Sequence, residues 1–217
     1  MSDDLVPLIR EATGETLQMV GVAMLFTIPL GLLLGALLLL TDRGGALRQP
    51  VVNWVLGFVV NVGRSVPFII LLIAVIPFTR LVVGTTIGTT AAIVPLTLAT
   101  IPFFARIVET SLREVPGGLV EAAQAAGANG RQVVFKVLVP EALPSLVAGV
   151  TITTIGVLGY SAMAGAVGGG GLGDVAIRYG YQRYETDVTI ATVVVLVVLV
   201  AVIQFAGDRL ARHLSHA

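Results

Sequence analysis

Few residues in this sequence are equipped for chemistry, and their spacing decides most of what they can do. Gly168 to Gly173 reads GGGGLG and satisfies G-x-G-x-x-G at Gly168, Gly170 and Gly173, with Glu185 and Asp187 near the position of an acidic ribose ligand. Such a pattern holds a dinucleotide only where a strand precedes it and a βαβ unit surrounds it. Here an apolar run precedes it and another begins 15 residues later, so the segment reads as a glycine-rich turn. No G-x-x-x-x-G-K-[ST] occurs, so the chain has no P-loop for ATP phosphates. With no cysteine, neither a disulfide nor a thiolate metal site is available. Both histidines, His213 and His216, fall in the last five residues, where a solvated tail is expected rather than a metal site.

Four other residues invite a functional reading. Tyr160, Ser161 and Met163 lie in an apolar run, where they either pack in a core, as methionine does readily, or face a translocation path. Arg64 is the one clearly basic residue in an apolar stretch. An ionisable group in a membrane is a functional candidate by default, although a side chain snorkelling to the interface explains it equally well.

The elements that carry these residues belong in a bilayer. Of 217 residues 56% are hydrophobic and only 12% charged, with a mean hydropathy of +0.96. Soluble domains carry about 25% charged residues, so this chain would expose apolar surface in water that lipid covers in a membrane. A net charge of zero argues against a nucleic-acid partner. The acidic start, Ser2-Asp3-Asp4, is unlike a cleavable signal, and the first helix is expected to stay as a span.

Five apolar runs approach the length of about 20 residues that a span requires: 17–40, 51–78, 81–105, 146–166 and 188–206. Residues 1–16 precede them, 17–208 form the transmembrane domain, and 209–217 a tail. Thr41-Asp42-Arg43-Gly44-Gly45 closes the first run. The middle runs are interrupted by Asn53, Asn61, Arg64, Pro67, Pro77, Gly84, Gly88, Pro95 and Pro102. Small residues let helices approach closely and carbonyls freed by proline find partners inside a bundle, which favours packing over the alternative that these positions line a path. An outside N-terminus places Arg43, Arg48, Arg106, Arg113, Arg131, Lys136, Arg209 and Arg212 inside. Arg10, Arg80, Arg178 and Arg183 are then left outside. The excess of inside basic residues favours N-out, C-in, and five spans give the required parity.

This orientation puts the 40-residue polar loop 106–145 in the cytoplasm. Pro116 can start a helix, Leu119 to Ala126 are strong helix formers, and Gly127 suits a C-terminal stop. Asn129 can cap a second short helix to about Val139, before Pro140 and Pro144 lead into the next span. Two short helices meeting at a glycine make an elbow at the membrane surface, and a long loop with its own structure is usually functional.

Within that elbow, Glu121-Ala122-Ala123, then Gly127 after three residues, then Val137-Leu138-Val139-Pro140 after nine more resemble the EAA motif of ABC importer permeases. Val137 and Val139 stand where the motif has Ile and Leu. The likeness extends to Arg64–Leu72, Ile76–Arg80, Ala92–Thr97, Pro140–Pro144, Gly159–Gly168 and Gln204–Arg209, which resemble the methionine importer permease family over about residues 61–209.

That resemblance implies an all-α integral membrane protein of the type I ABC importer permease fold, with five transmembrane helices and a cytoplasmic coupling-helix elbow. It implies that the elbow docks in a groove of a cytoplasmic ATPase, through Glu121, Ala122, Ala123, Gly127, Arg131 and Pro140. Small alanine faces suit insertion between partner surfaces, and Gly127 would set the bend, since a Cβ is penalised at positive φ. The implied assembly is a homodimer of this permease with two ATPase subunits, which bind the ATP and Mg and perform the hydrolysis, and an extracytoplasmic methionine-binding protein. The chain itself would then be no enzyme and carry no cofactor. It would move L- and D-methionine across the cytoplasmic membrane by alternating access, with the glycine-rich turn at the outer face. Another amino acid or small polar solute is the alternative cargo. An ion-coupled secondary transporter is the different-class alternative, disfavoured because no Asp or Glu falls inside the five runs.

Overall fold

Helix α1, Ser2–Thr41, is 40 residues long in the computed structural model of the chain. At 1.5 Å per residue it extends about 60 Å, twice the roughly 30 Å of bilayer hydrocarbon. Its apolar run accounts for the span expected at 17–40, and the helix continues through the polar residues before it. The structure describes residues 2–42, 45 and 48–215, and all regular structure among them is helical. Arg43, Gly44 and His216 lie outside the described residues.

The expected second run, 51–78, is not one straight helix. It divides into α2 (Pro50–Ser65), α3 (Phe68–Ala74) and the start of α4 (Ile76–Val83). The bend between α2 and α3 is 105°. Pro67 is the cause: it has no N–H for the helix ladder, and it drives the preceding residue out of helical φ/ψ. Arg64 stands exposed in the last turn of α2, where its charge suits the negative end of the helix dipole. The third long helix, α5, runs Thr89–Arg113, so it starts and ends eight residues later than the run 81–105. Gly84 ends α4 in a left-handed conformation and keeps the two helices separate.

Beyond α5 come α6 (Gly117–Ala125), α7 (Gly130–Val133), a π-helical turn Val134–Leu138 and α8 (Val139–Glu141). Then follow α9 (Leu143–Gly165), α10 (Gly171–Val175), a second π-helical turn Ala176–Tyr181 and α11 (Thr186–Leu214). Among the described residues four helices, α1, α5, α9 and α11, are each long and apolar enough to cross a membrane, and the bent pair α2–α3 makes a fifth crossing if counted as one span.

The chain divides into two compact units. One comprises Met1–Phe26, Val66–Thr100 and Thr154–Phe205. Its buried cluster joins Ala12 of α1, Leu172 and Val175 of α10 and Val188 of α11. The other comprises Thr27–Ser65, Ile101–Thr153 and Ala206–Ala217. Its core runs along α5 through Phe104, Val108 and Leu112, at helical spacing, and meets Val133, Val134, Leu138, Ala142 and Leu146. Outward faces are apolar: Val193, Val197 and Phe205 of α11 and Trp54 and Phe58 of α2 are all exposed, as a lipid-covered surface requires.

Candidate functional site

The elbow begins where Pro116 occupies the N-cap of α6. No α6 residue is fully buried. Val120 and Ala123 rest against the second unit's core, whereas Glu121, Ala122, Ala125 and Ala126 face outward. The helix therefore lies on its scaffold along one edge and offers a shallow alanine surface on the other.

Its end is a Schellman motif. The Ala128 N–H donates to the Ala123 carbonyl (3.0 Å) and the Gly127 N–H to the Gln124 carbonyl (2.9 Å), with Gly127 at φ +85°. A Cβ built on Gly127 would touch nothing within 4 Å, so glycine is demanded by the backbone angle and not by space. Two residues later Asn129 starts α7 with a reciprocal capping box. Its Oδ1 accepts from the Gln132 N–H (2.9 Å), and Gln132 Oε1 accepts from the Asn129 N–H (2.8 Å).

The second arm of the elbow does not stop before Pro140 but passes through it. The π-helical turn widens the ladder so that Val139 donates to Val134, five residues back, and the Ala142 N–H then bonds the Leu138 carbonyl (2.9 Å). A proline removes one helix donor and crowds the carbonyl four residues earlier, and a π-turn relieves both. The second arm thus runs through Pro140 to Glu141, and one turn residue, Ala142, separates it from α9. Close packing fixes the start of α9 to α5: a Cβ on Gly149 would lie 2.5 Å from Ile107 Cγ2, and the Ser145 hydroxyl meets that of Ser111 at 2.8 Å.

Of the expected path residues, Tyr160 and Met163 share a side of α9 and Ser161 does not. Met163 is half exposed and Ser161 only 1% exposed. The Ser161 hydroxyl donates to the Leu158 carbonyl (2.7 Å). Tyr160 stacks on Phe68, with centroids 4.8 Å apart. Gly156 and Gly159 are exposed, with open space beside each, and with Met163 they lie on one exposed face of α9.

The glycine-rich turn is flanked by helices. The Gly88 N–H donates to the Gly168 carbonyl (2.8 Å), Glu15 Oε2 accepts from the Gly171 N–H (2.6 Å) and Thr16 Oγ1 from the Leu172 N–H (2.9 Å). With helix on both sides and the amides already engaged, the segment is not built as a dinucleotide fingerprint.

Residues 27–217 match the family described as "Binding-protein-dependent transport system inner membrane component". The chain belongs to this family. It is 56% identical over 209 residues to the "Probable D-methionine transport system permease protein MetI" of Vibrio cholerae, covering 96% of this chain and 93% of the relative. It is 50% identical over 216 residues to the protein so named in Pasteurella multocida, covering 100% of both. Among solved structures it is similar to a chain of the inward-facing "MetNI methionine ABC transporter", at TM-score 0.96, 50% identity and 99% coverage of each chain.

This inner-membrane transport component holds two features that reading its sequence passed over. Glu109 is buried beneath the elbow, with Arg106 Nη1 at 2.5 Å and Arg113 Nη2 at 2.8 Å. Arg113 also reaches Asp42 (2.9 Å) and Arg106 donates to Asn61 Oδ1 (3.2 Å). This network ties α1, α2 and α5 together at the base of the elbow. The i, i+3 and i+4 spacing of Arg106, Glu109 and Arg113 is the local signal of such a cluster. Glu15 is the second: no local pattern indicates that a carboxylate 156 positions before Gly171 caps its amide.

Proposed function

We propose that this chain is the membrane-spanning subunit of an ATP-driven importer that moves L- and D-methionine across the cytoplasmic membrane. It works as a homodimer, above two cytoplasmic ATPase subunits that bind ATP and Mg, and beneath an extracytoplasmic methionine-binding protein. The N-terminus is outside and the elbow and C-terminus are inside, in keeping with the distribution of basic residues.

One observation carries the reading: a solvent-facing alanine surface on a short helix, fixed in angle by Gly127 and joined through Pro140 to a spanning helix. The surface from Glu121 to Ala126 enters the ATPase groove. When the ATPase subunits close on ATP, the groove displaces α6. The turn at Gly127 and the second arm pass that displacement to α9, because neither joint is slack: one is closed by paired Schellman bonds, and α9 itself is held by close packing on α5. Substrate then crosses along the face of Gly156, Gly159 and Met163 at the seam between two copies. The relatives and the solved transporter, named for methionine, support the choice of cargo.

Co-expression with a Walker-motif ATPase, followed by reconstitution with a methionine-binding protein, tests this. Liposomes should accumulate labelled methionine only when ATP is supplied on the elbow side. A chain that purifies alone and carries methionine down an ion gradient without ATP would refute the proposal.

A further inference from the structure

An apolar cavity of about 750 Å3 opens beside the elbow, wholly within the second unit, in the size range of about 300–1,000 Å3 typical of ligand pockets. One wall is a single stripe of α1 made by Pro29, Leu32, Leu33, Ala36, Leu37 and Leu40. The stripe covers eleven residue steps, or about 16 Å at 1.5 Å each. That is close to the depth of one leaflet, about half of the 30 Å hydrocarbon core. Val134, Phe135 and Val139 form the facing wall. Leu33 is 57% exposed and Phe135 65% exposed, so the groove is open to the outside at these two residues.

Arg131 is the charged residue lining this groove. The same unit's Arg106 and Arg113 are matched by Glu109 and Asp42, whereas Arg131 is exposed and makes no ion pair among the described residues. An unmatched guanidinium beside a leaflet-deep apolar groove fits one kind of occupant. Water would wet apolar walls unfavourably, and a neutral hydrocarbon would leave the cation unused.

We infer that this groove binds an anionic phospholipid, with one acyl chain along the α1 stripe and the phosphate on Arg131. Guanidinium geometry suits a phosphate, and a basic residue near an anionic lipid surface strengthens binding. Only the part this site plays in coupling rests on the function proposed above. The site holds α1 against the second arm of the elbow through lipid, so the lipid becomes part of the coupling scaffold.

Native mass spectrometry of the full-length chain, titrated with dioleoylphosphatidylglycerol or dioleoylphosphatidylcholine, tests this. Wild type should bind the anionic lipid about fivefold more tightly, the size expected of one arginine. Arg131→Gln should bind both equally, Arg131→Lys should restore part of the preference, and Leu33→Trp, which fills the groove from its open side, should weaken both. Equal affinities in wild type would overturn the proposal without any variant being needed. So would a preference that survives Arg131→Gln, or exclusion of both lipids by a second copy of the chain. Failure to transport methionine would leave this result untouched.

Discussion

Two glycine joints of this molecule solve opposite problems. At the elbow, Gly127 sits in open space at φ +85°, and what matters there is an angle. At the glycine-rich turn, Gly173 has an ordinary φ but almost no space: a Cβ would collide with the Ala162 carbonyl oxygen and lie 2.5 Å from its Cα. One joint is exposed and shaped by its own hydrogen bonds; the other is buried and shaped by the backbone of α9. A side chain at Gly127 strains a turn, whereas one at Gly173 must move a helix.

The largest effect should therefore come from Gly173→Ala. Overpacking against backbone that cannot swing aside costs about 3 kcal/mol, so the folded fraction and melting temperature in detergent should fall sharply. A variant as stable as wild type would end the close-approach half of the comparison. Next comes Glu109→Gln, which leaves two arginines without their shared carboxylate at the base of the elbow. Because those arginines are partly exposed, the loss is moderated to about 2 kcal/mol, read as a shift in the denaturation midpoint.

Gly127→Val imposes left-handed strain of about 1–2 kcal/mol while insertion and the bulk of the fold persist. Gly127→Asn should be better tolerated, since asparagine visits that conformation. If Val and Asn behave alike, the demand is not conformational. The smallest effect is expected of Asn129→Ala, which opens the capping box at a cost of about 1 kcal/mol and should speed amide exchange in α7 and the turn after Gly127. Loss at Asn129 greater than at Gly127 would shift the hinge from the glycine to the cap.

These two joints also mark what the sequence could and could not convey. The elbow was legible because its determinants are local: Pro116, Gly127, Asn129 and Gln132 act within a few residues of one another, and so do turn and cap preferences. The helical character and the long apolar runs were legible for the same reason. The break after Ser65 was less so, because Pro67 within an apolar stretch is compatible with a kinked span or a sharp bend, and packing makes the choice. Continuity through Pro140 also escaped notice, since a π-turn leaves no compositional mark. Ser161 and Met163 are two positions apart in an apolar run, yet one faces inward and the other outward, a distinction the unbroken hydrophobicity of α9 conceals. Glu15 on the Gly171 amide is a long-range contact that no local pattern encodes.

The central claim is that the Gly127 turn transmits motion from ATPase to membrane. Its most direct measurement is the ratio of methionine imported to ATP hydrolysed, in liposomes containing the reconstituted wild-type or Gly127→Val assembly. The account predicts that the variant still assembles and hydrolyses ATP while the ratio falls at least tenfold, the consequence of a coupling loss of about 1.4 kcal/mol. An unchanged ratio in a fully assembled Gly127→Val transporter would contradict it.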